Sequence, residues 1–207
     1  MRYLISLVVL VLSTSATAAD VKAVPHSNDH PGVLTIVVSG TITDGDTSKL
    51  ATLVSASAKR QLVVVISSAG GSAYEGVIMY RYLTELHKSH EVATIVPPSA
   101  QAASAAAIIW LAGQNRELMD NASVLFHLPY KEADKNKPVS RLSRIGVEYM
   151  TIIMDTLHNG EDIANLCLGA QQTYGSNVYV ALFRDGKSKE LAWLLYDEVA
   201  QTSEVIK

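Results

Sequence analysis

An α/β fold built around a mainly parallel sheet is what this sequence predicts, on three observations. Short β-branched runs recur at Val33-Leu-Thr-Ile-Val-Val38, Gln61-Leu-Val-Val-Val-Ile66 and Val92-Ala-Thr-Ile-Val96. Each is apolar almost throughout, as a strand covered on both faces must be. The stretches between them are long enough for helices, so consecutive strands are joined by right-handed crossovers rather than hairpins. The composition agrees: 207 residues, 48% apolar and 18% charged, supply material for one substantial core.

The formal net charge of −3 is close to neutral and the basic residues are scattered. That pattern leaves neither a nucleic-acid footprint nor a polybasic membrane patch. The expected partner is a small molecule, a peptide or a protein.

Arg2 precedes an apolar run from Tyr3 to Leu12, and Ser13-Thr-Ser-Ala-Thr-Ala-Ala19 then supplies small residues of the kind a signal peptidase accepts. Residues 1–19 are therefore expected to be a cleaved secretory signal, the apolar run being about half of what a spanning helix needs. The expected location is secreted or periplasmic. Cys167 is the single cysteine, so no internal disulfide forms, and its flanks Asn165-Leu-Cys-Leu168 read as core.

Residues 20–32 read as an extended polar tail. His26 and His30 are spaced for a helical metal site, but Pro25 and Pro31 bracket them and favour an extended, solvated segment. The remainder, 33–207, reads as a single domain.

In that domain Val33–Val38 is a buried strand, Asp46 offers an N-cap to a helix carrying Leu50, Leu53 and Val54, and Gln61–Ile66 is the second strand. Ser67-Ser-Ala-Gly-Gly-Ser72 follows, then a helix from about Ala73 to Lys88. A glycine pair at the carboxyl end of a parallel strand lets the backbone approach a ligand and turn N–H groups toward it. The nucleotide fingerprints GxGxxG and GxxxxGK[ST] are absent, and no cofactor is expected.

The third unit runs from Val92–Val96 through Pro97-Pro98 into Gln101–Ala112, read as one helix with Ser104 in its first turn. Taken alone, Ser104 is an N-cap serine. A further strand, Ala122-Ser-Val-Leu-Phe126, delivers His127 at its end, and a histidine there can serve as the base that a nucleophilic serine requires.

Three segments in register, Ile66-Ser-Ser-Ala-Gly-Gly-Ser72, Gln101-Ala-Ala-Ser104 and Ser123-Val-Leu-Phe-His-Leu-Pro129, resemble the Clp-type serine peptidases of the ClpP/crotonase superfamily. The resemblance implies that fold, with repeated ββα/βαβ units, and makes Ser104 the nucleophile and His127 the general base. It implies an oxyanion hole from the N–H groups of Gly71 and Ala105, with Gly70 and Ser72 beside the substrate. It also implies an acid that orients the histidine, for which Asp185 is the candidate between the long helices and Tyr196-Asp-Glu-Val199. The implied partners are peptides or unfolded segments and further copies of the chain, without the ATP-driven unfoldase of the cytosol.

Departures from the family pattern are Ala69 before the glycines, Ala105-Ala106 after the serine, and the charged stretch Tyr130–Pro138 where the family has a glycine-rich strand. Beyond it, apolar residues at Leu142, Ile145, Tyr149, Ile152 and Ile153 predict a long handle helix over about 139–157. A helix from Glu161 to about Tyr174 and another from Ser188 to about Asp197 complete the chain. His87, His90 and His158 fall at helix ends in no metal-binding pattern, and no metal site is expected. Two other readings stay open: a non-catalytic scaffold or peptide-binding module of the same fold, and a crotonase-type acyl-CoA enzyme.

Overall fold

The three β-branched runs lie side by side in one parallel sheet, and a second sheet forms from the later strands. The computed structural model of the chain describes residues 18–24, 32–130, 141–175, 178–197 and 202–205. The first sheet contains β1 (Asp20–Val24), β2 (Val33–Ser39), β3 (Gln61–Ser67), β4 (Glu91–Val96) and β6 (Asn115–Leu118), in the order β1-β2-β3-β4-β6. Its last four strands are parallel, with Ile36 facing Val64 and Val64 facing Thr94. β1 runs antiparallel to β2 along that edge, Asp20 opposite Ser39. The segment expected to be an extended polar tail begins as a strand, because the edge of β2 offers it a ladder. His26 and His30 lie outside the described residues.

The crossovers are α1 (Asp46–Ser55), which buries Leu50 and Val54, and α2 (Ala73–Leu86), which buries Val77, Met79 and Leu83. The N-cap of α1 is Gly45 rather than Asp46; the Asp46 carboxylate reaches back to accept from the Thr43 N–H at 2.8 Å. The two helices are fastened where the buried Glu75 carboxylate accepts from the Thr47 N–H at 2.6 Å. One donor at the start of α1 is satisfied this way.

The second sheet has the order β10-β9-β8-β7-β5, from β5 (Gln101–Ala103), β7 (Ser123–Phe126), β8 (Val178–Arg184), β9 (Leu191–Asp197) and β10 (Thr202–Val205). Only β5 and β7 are parallel; β8, β9 and β10 add as an antiparallel meander. Two expectations are corrected here. Ser188–Asp197 is not a helix, since Leu191–Asp197 pairs along the whole of β8. Gln101–Ala103 is a strand, and the helix after it, α3 (Ala105–Leu111), starts later.

All seven residues of α3 are buried, so it forms the centre of the core. Above it lie α4 (Arg144–Thr156) and α5 (Gly160–Tyr174). The helix expected over 139–157 is shorter: residues 141–143 precede it and Ser143 caps it, accepting from the Gly146 N–H. Its apolar stripe is as expected, with Tyr149, Ile152 and Ile153 buried. One continuous core runs from Ile36 and Ile66 through Ile108 and Ile109 to Phe126, Tyr149 and Ile163. No helix among the described residues is long and apolar enough to cross a membrane.

Candidate active site

Ser104 occupies the single residue between β5 and α3, with φ 56° and ψ −119°. A positive φ with that ψ lies outside the small left-handed region open to L-residues, and such a conformation costs roughly 1–3 kcal/mol. Neighbouring bonds hold it. The Ser104 N–H donates to the Leu125 carbonyl at 2.9 Å, and its carbonyl accepts from Ala107 and Ile108 at 3.0 and 3.3 Å. Its hydroxyl makes no capping hydrogen bond, although it stands at the N-cap. The half-buried Oγ is therefore not occupied by closing the helix.

The glycine loop meets this turn from the first sheet. A Cβ on Gly70, at φ +99°, would fall 2.7 Å from both the Ala103 oxygen and the Ser104 Cβ, and 3.2 Å from the Ala105 nitrogen. Gly71 bridges Ile42, and a Cβ there would lie 2.2 Å from the Ile42 oxygen. Ile42 donates to the Gly70 carbonyl and accepts from the Ser72 N–H, both at 2.8 Å. In such a parallel bridge the N–H of the central residue points to the opposite side. For Gly71 that is the side away from Ile42.

Ser68, which sequence reasoning passed over, organises the loop. Its buried Oγ donates to the Gly40 carbonyl at 2.6 Å and accepts from the Gly70 N–H at 3.0 Å. Its backbone accepts from the Ala103 N–H and donates to the Gln101 carbonyl, both at 2.9 Å. Gly70 therefore has its N–H and C=O engaged inside the loop. Ser72, expected beside the substrate, is the N-cap of α2, accepting from the Glu75 N–H and donating to Asp44 at 3.0 Å.

His127 follows β7 and is 4% exposed. Because Ser104 bonds to Leu125, two residues before His127, the serine and the histidine stand at the carboxyl ends of adjacent parallel strands. Two tyrosine rings contact the imidazole: Tyr179, edge-to-face with centroids 4.8 Å apart, and Tyr130, tilted at 5.4 Å. Neither is among the sequence-predicted residues. The available signal was the alternation in Val178-Tyr-Val-Ala181, which marks a strand able to pair beside β7.

Asp185 is not brought to His127, which corrects its assignment as the orienting acid. The β7–β8 ladder pairs Ser123 with Phe183 and Phe126 with Val180, and Asn121 donates to the Arg184 carbonyl. Asp185 therefore lies beyond the start of β7 while His127 lies beyond its end, a separation of roughly 20 Å along the strand. Its carboxylate accepts from the N–H groups of Ser188 and Lys187 at 2.6 and 2.7 Å, closing the β8–β9 turn. Those bonds hold its pKa below the ordinary aspartate value.

Cys167 is buried on α5, its thiol directed at the Phe126 carbonyl, and burial pushes its pKa up to about 12. A thiol so placed carries no nucleophilic thiolate near neutral pH. Among the described residues no three His, Cys, Asp or Glu side chains converge to hold a metal. His87 is occupied structurally, donating from Nε2 to the Ala112 carbonyl at 2.9 Å.

Fold and site together define a class: mixed α/β proteins that present a serine on a strained strand-to-helix turn against a glycine loop. The family model for Clp protease matches residues 33–141, just over half of the 207 residues. The chain belongs to the Clp protease family and is a ClpP-type, peptidase-like protein. The matched stretch contains Gly70, Gly71, Ser104 and His127, and ends well before Asp185. No curated protein matches the chain.

Proposed function

We propose that the protein is an ATP-independent serine peptidase that hydrolyses peptides or unfolded segments outside the cytoplasm. The observation that carries this reading is the backbone of Ser104: φ 56°, ψ −119°, no capping bond from its hydroxyl, and Gly70 packed against it. Strain of this kind concentrates where a side chain must be presented for chemistry.

In this reading the Ser104 Oγ attacks the scissile carbonyl carbon while its proton passes to the His127 imidazole. The tetrahedral oxyanion is received by the N–H groups of Gly71 and Ala105, the latter at the first position of α3, where an N–H has no intrahelical partner. Collapse breaks the C–N bond, and the departing amine takes the proton from the imidazolium. Water then attacks the acyl-enzyme, giving its proton to His127, and releases the carboxylic acid and the Ser104 hydroxyl. The location rests on the expected signal at 1–19, directly before β1 at Asp20.

A fluorophosphonate probe tests the chemistry. The folded wild-type chain is expected to be labelled at Ser104, and Ser104→Ala not at all. Failure of the wild type to react, or equal labelling of the alanine variant, removes the peptidase reading. The placement of Asp185 favours the alternative that would then stand, a non-catalytic peptide-binding member of the fold.

A further inference from the structure

We propose that Tyr179 is a positioning residue that fixes the imidazole of His127, with Tyr130 as a second ring in contact with it. The proposal deepens the Ser104–His127 peptidase reading and rests on it. Its ground is a row of rings across the second sheet. Extending the Phe126–Val180 pair by one step places His127 opposite Tyr179, and Tyr179 pairs in turn with Tyr196. The centroid separations follow that row, 4.8 Å from His127 to Tyr179 and 6.4 Å from Tyr179 to Tyr196.

Tyr179 is itself braced. With Leu194 and Tyr196 it packs on a cluster of Ala103, Leu125 and Ala181 on this face of the sheet. Ala103 immediately precedes Ser104, and Leu125 accepts its N–H. The ring that meets the imidazole thus rests on the residues that carry the serine. The second histidine torsion is broad and roughly two-fold, so backbone placement alone does not fix the ring plane. An edge-on tyrosine at 4.8 Å and a tilted one at 5.4 Å do fix it.

The rate of fluorophosphonate reaction with Ser104, resolved into probe affinity and the first-order step, tests the proposal on the full chain. Tyr179→Leu is expected to slow the first-order step about tenfold or more with probe affinity unchanged, since a misplaced base costs rate rather than binding. Tyr179→Phe keeps the ring and is expected to stay within about twofold of wild type. A leucine variant reacting at the wild-type rate overturns the proposal; so does a phenylalanine variant as slow as leucine, which would transfer the role to the hydroxyl. If the leucine variant does not fold, Tyr179→Met replaces it and must show the same loss.

A second measurement separates this proposal from the reading beneath it. The NMR signal of the His127 ring proton between the two nitrogens should be displaced by the tyrosine ring currents, retain that displacement in Tyr179→Phe and lose it in Tyr179→Leu. An unreactive wild type with a Tyr179-dependent signal removes the peptidase reading and leaves the positioning contact. A signal indifferent to Tyr179 removes the positioning role whatever the reactivity.

Discussion

Gly70 and Ser104 approach so closely that a methyl group on the glycine would stand 2.7 Å from the serine Cβ. This contact joins the glycine loop of one sheet to the strand-to-helix turn of the other, and only a residue without a side chain allows it. Gly70→Ala is therefore expected to destabilise by about 2–4 kcal/mol, from the clash and from the positive φ together. Urea unfolding measures that loss, and fluorophosphonate labelling of the remaining folded fraction should be abolished. A variant as stable as the parent would mean that the loop and the turn are farther apart.

The backbone at Ser104 predicts an unusual ordering of two inactive variants. Alanine keeps the unfavourable φ and ψ, whereas for glycine φ 56°, ψ −119° is the mirror image of an ordinary extended conformation. Ser104→Gly should be more stable than Ser104→Ala by about 1 kcal/mol, strain relief of roughly 1–3 set against the greater freedom of glycine in the unfolded chain. Paired thermal melts decide it; glycine melting at or below alanine would show the turn to be relaxed.

Ser68→Ala removes the buried hydroxyl that serves Gly40 and Gly70. Leaving such groups without a partner costs about 1–3 kcal/mol. Labelling of Ser104 should fall further than the unfolded fraction explains, because the loop loses its anchor. Labelling in proportion to the folded fraction would reduce Ser68 to a purely structural element.

Asp185→Asn should leave the reactivity of each folded molecule unchanged, since Asp185 closes a turn at the far end of the ladder from His127. Its effect appears in the pH dependence of stability. The Ser188 and Lys187 N–H groups lower the folded-state pKa of Asp185, so its contribution is present above the unfolded value and is lost as pH falls through the folded one. Below about pH 5 the wild type should lose more melting temperature on acidification than the asparagine variant. A fall in labelling rate at neutral pH would reinstate Asp185 as an orienting acid.

The parts of the fold carried by local pattern were legible: β2, β3 and β4 are rich in β-branched residues and mainly apolar, and α2 and α4 show their stripes. The misread parts depend on partners distant in sequence. Leu191-Ala-Trp-Leu-Leu195 contains strong helix formers and becomes a strand because β8 offers a full ladder. Gln101-Ala-Ala103 likewise becomes β5 only through β7 and Ser68. The glycine pair and His127 follow strands that the local pattern marks, β3 and β7, whereas Ser104 follows β5, which the pattern does not mark. Asp185 was misplaced because an interval along the chain says nothing about which end of an antiparallel ladder a residue reaches; the alternation around Tyr179 marks a strand but not the neighbour it pairs with.

The glycine loop follows β3 of the first sheet, whereas Ser104 and His127 follow β5 and β7 of the second, and the two meet at the Ser68–Ala102 bridge. A nascent chain in which one sheet has formed holds the loop or the serine but not their apposition. The site is therefore complete only when both sheets are in place.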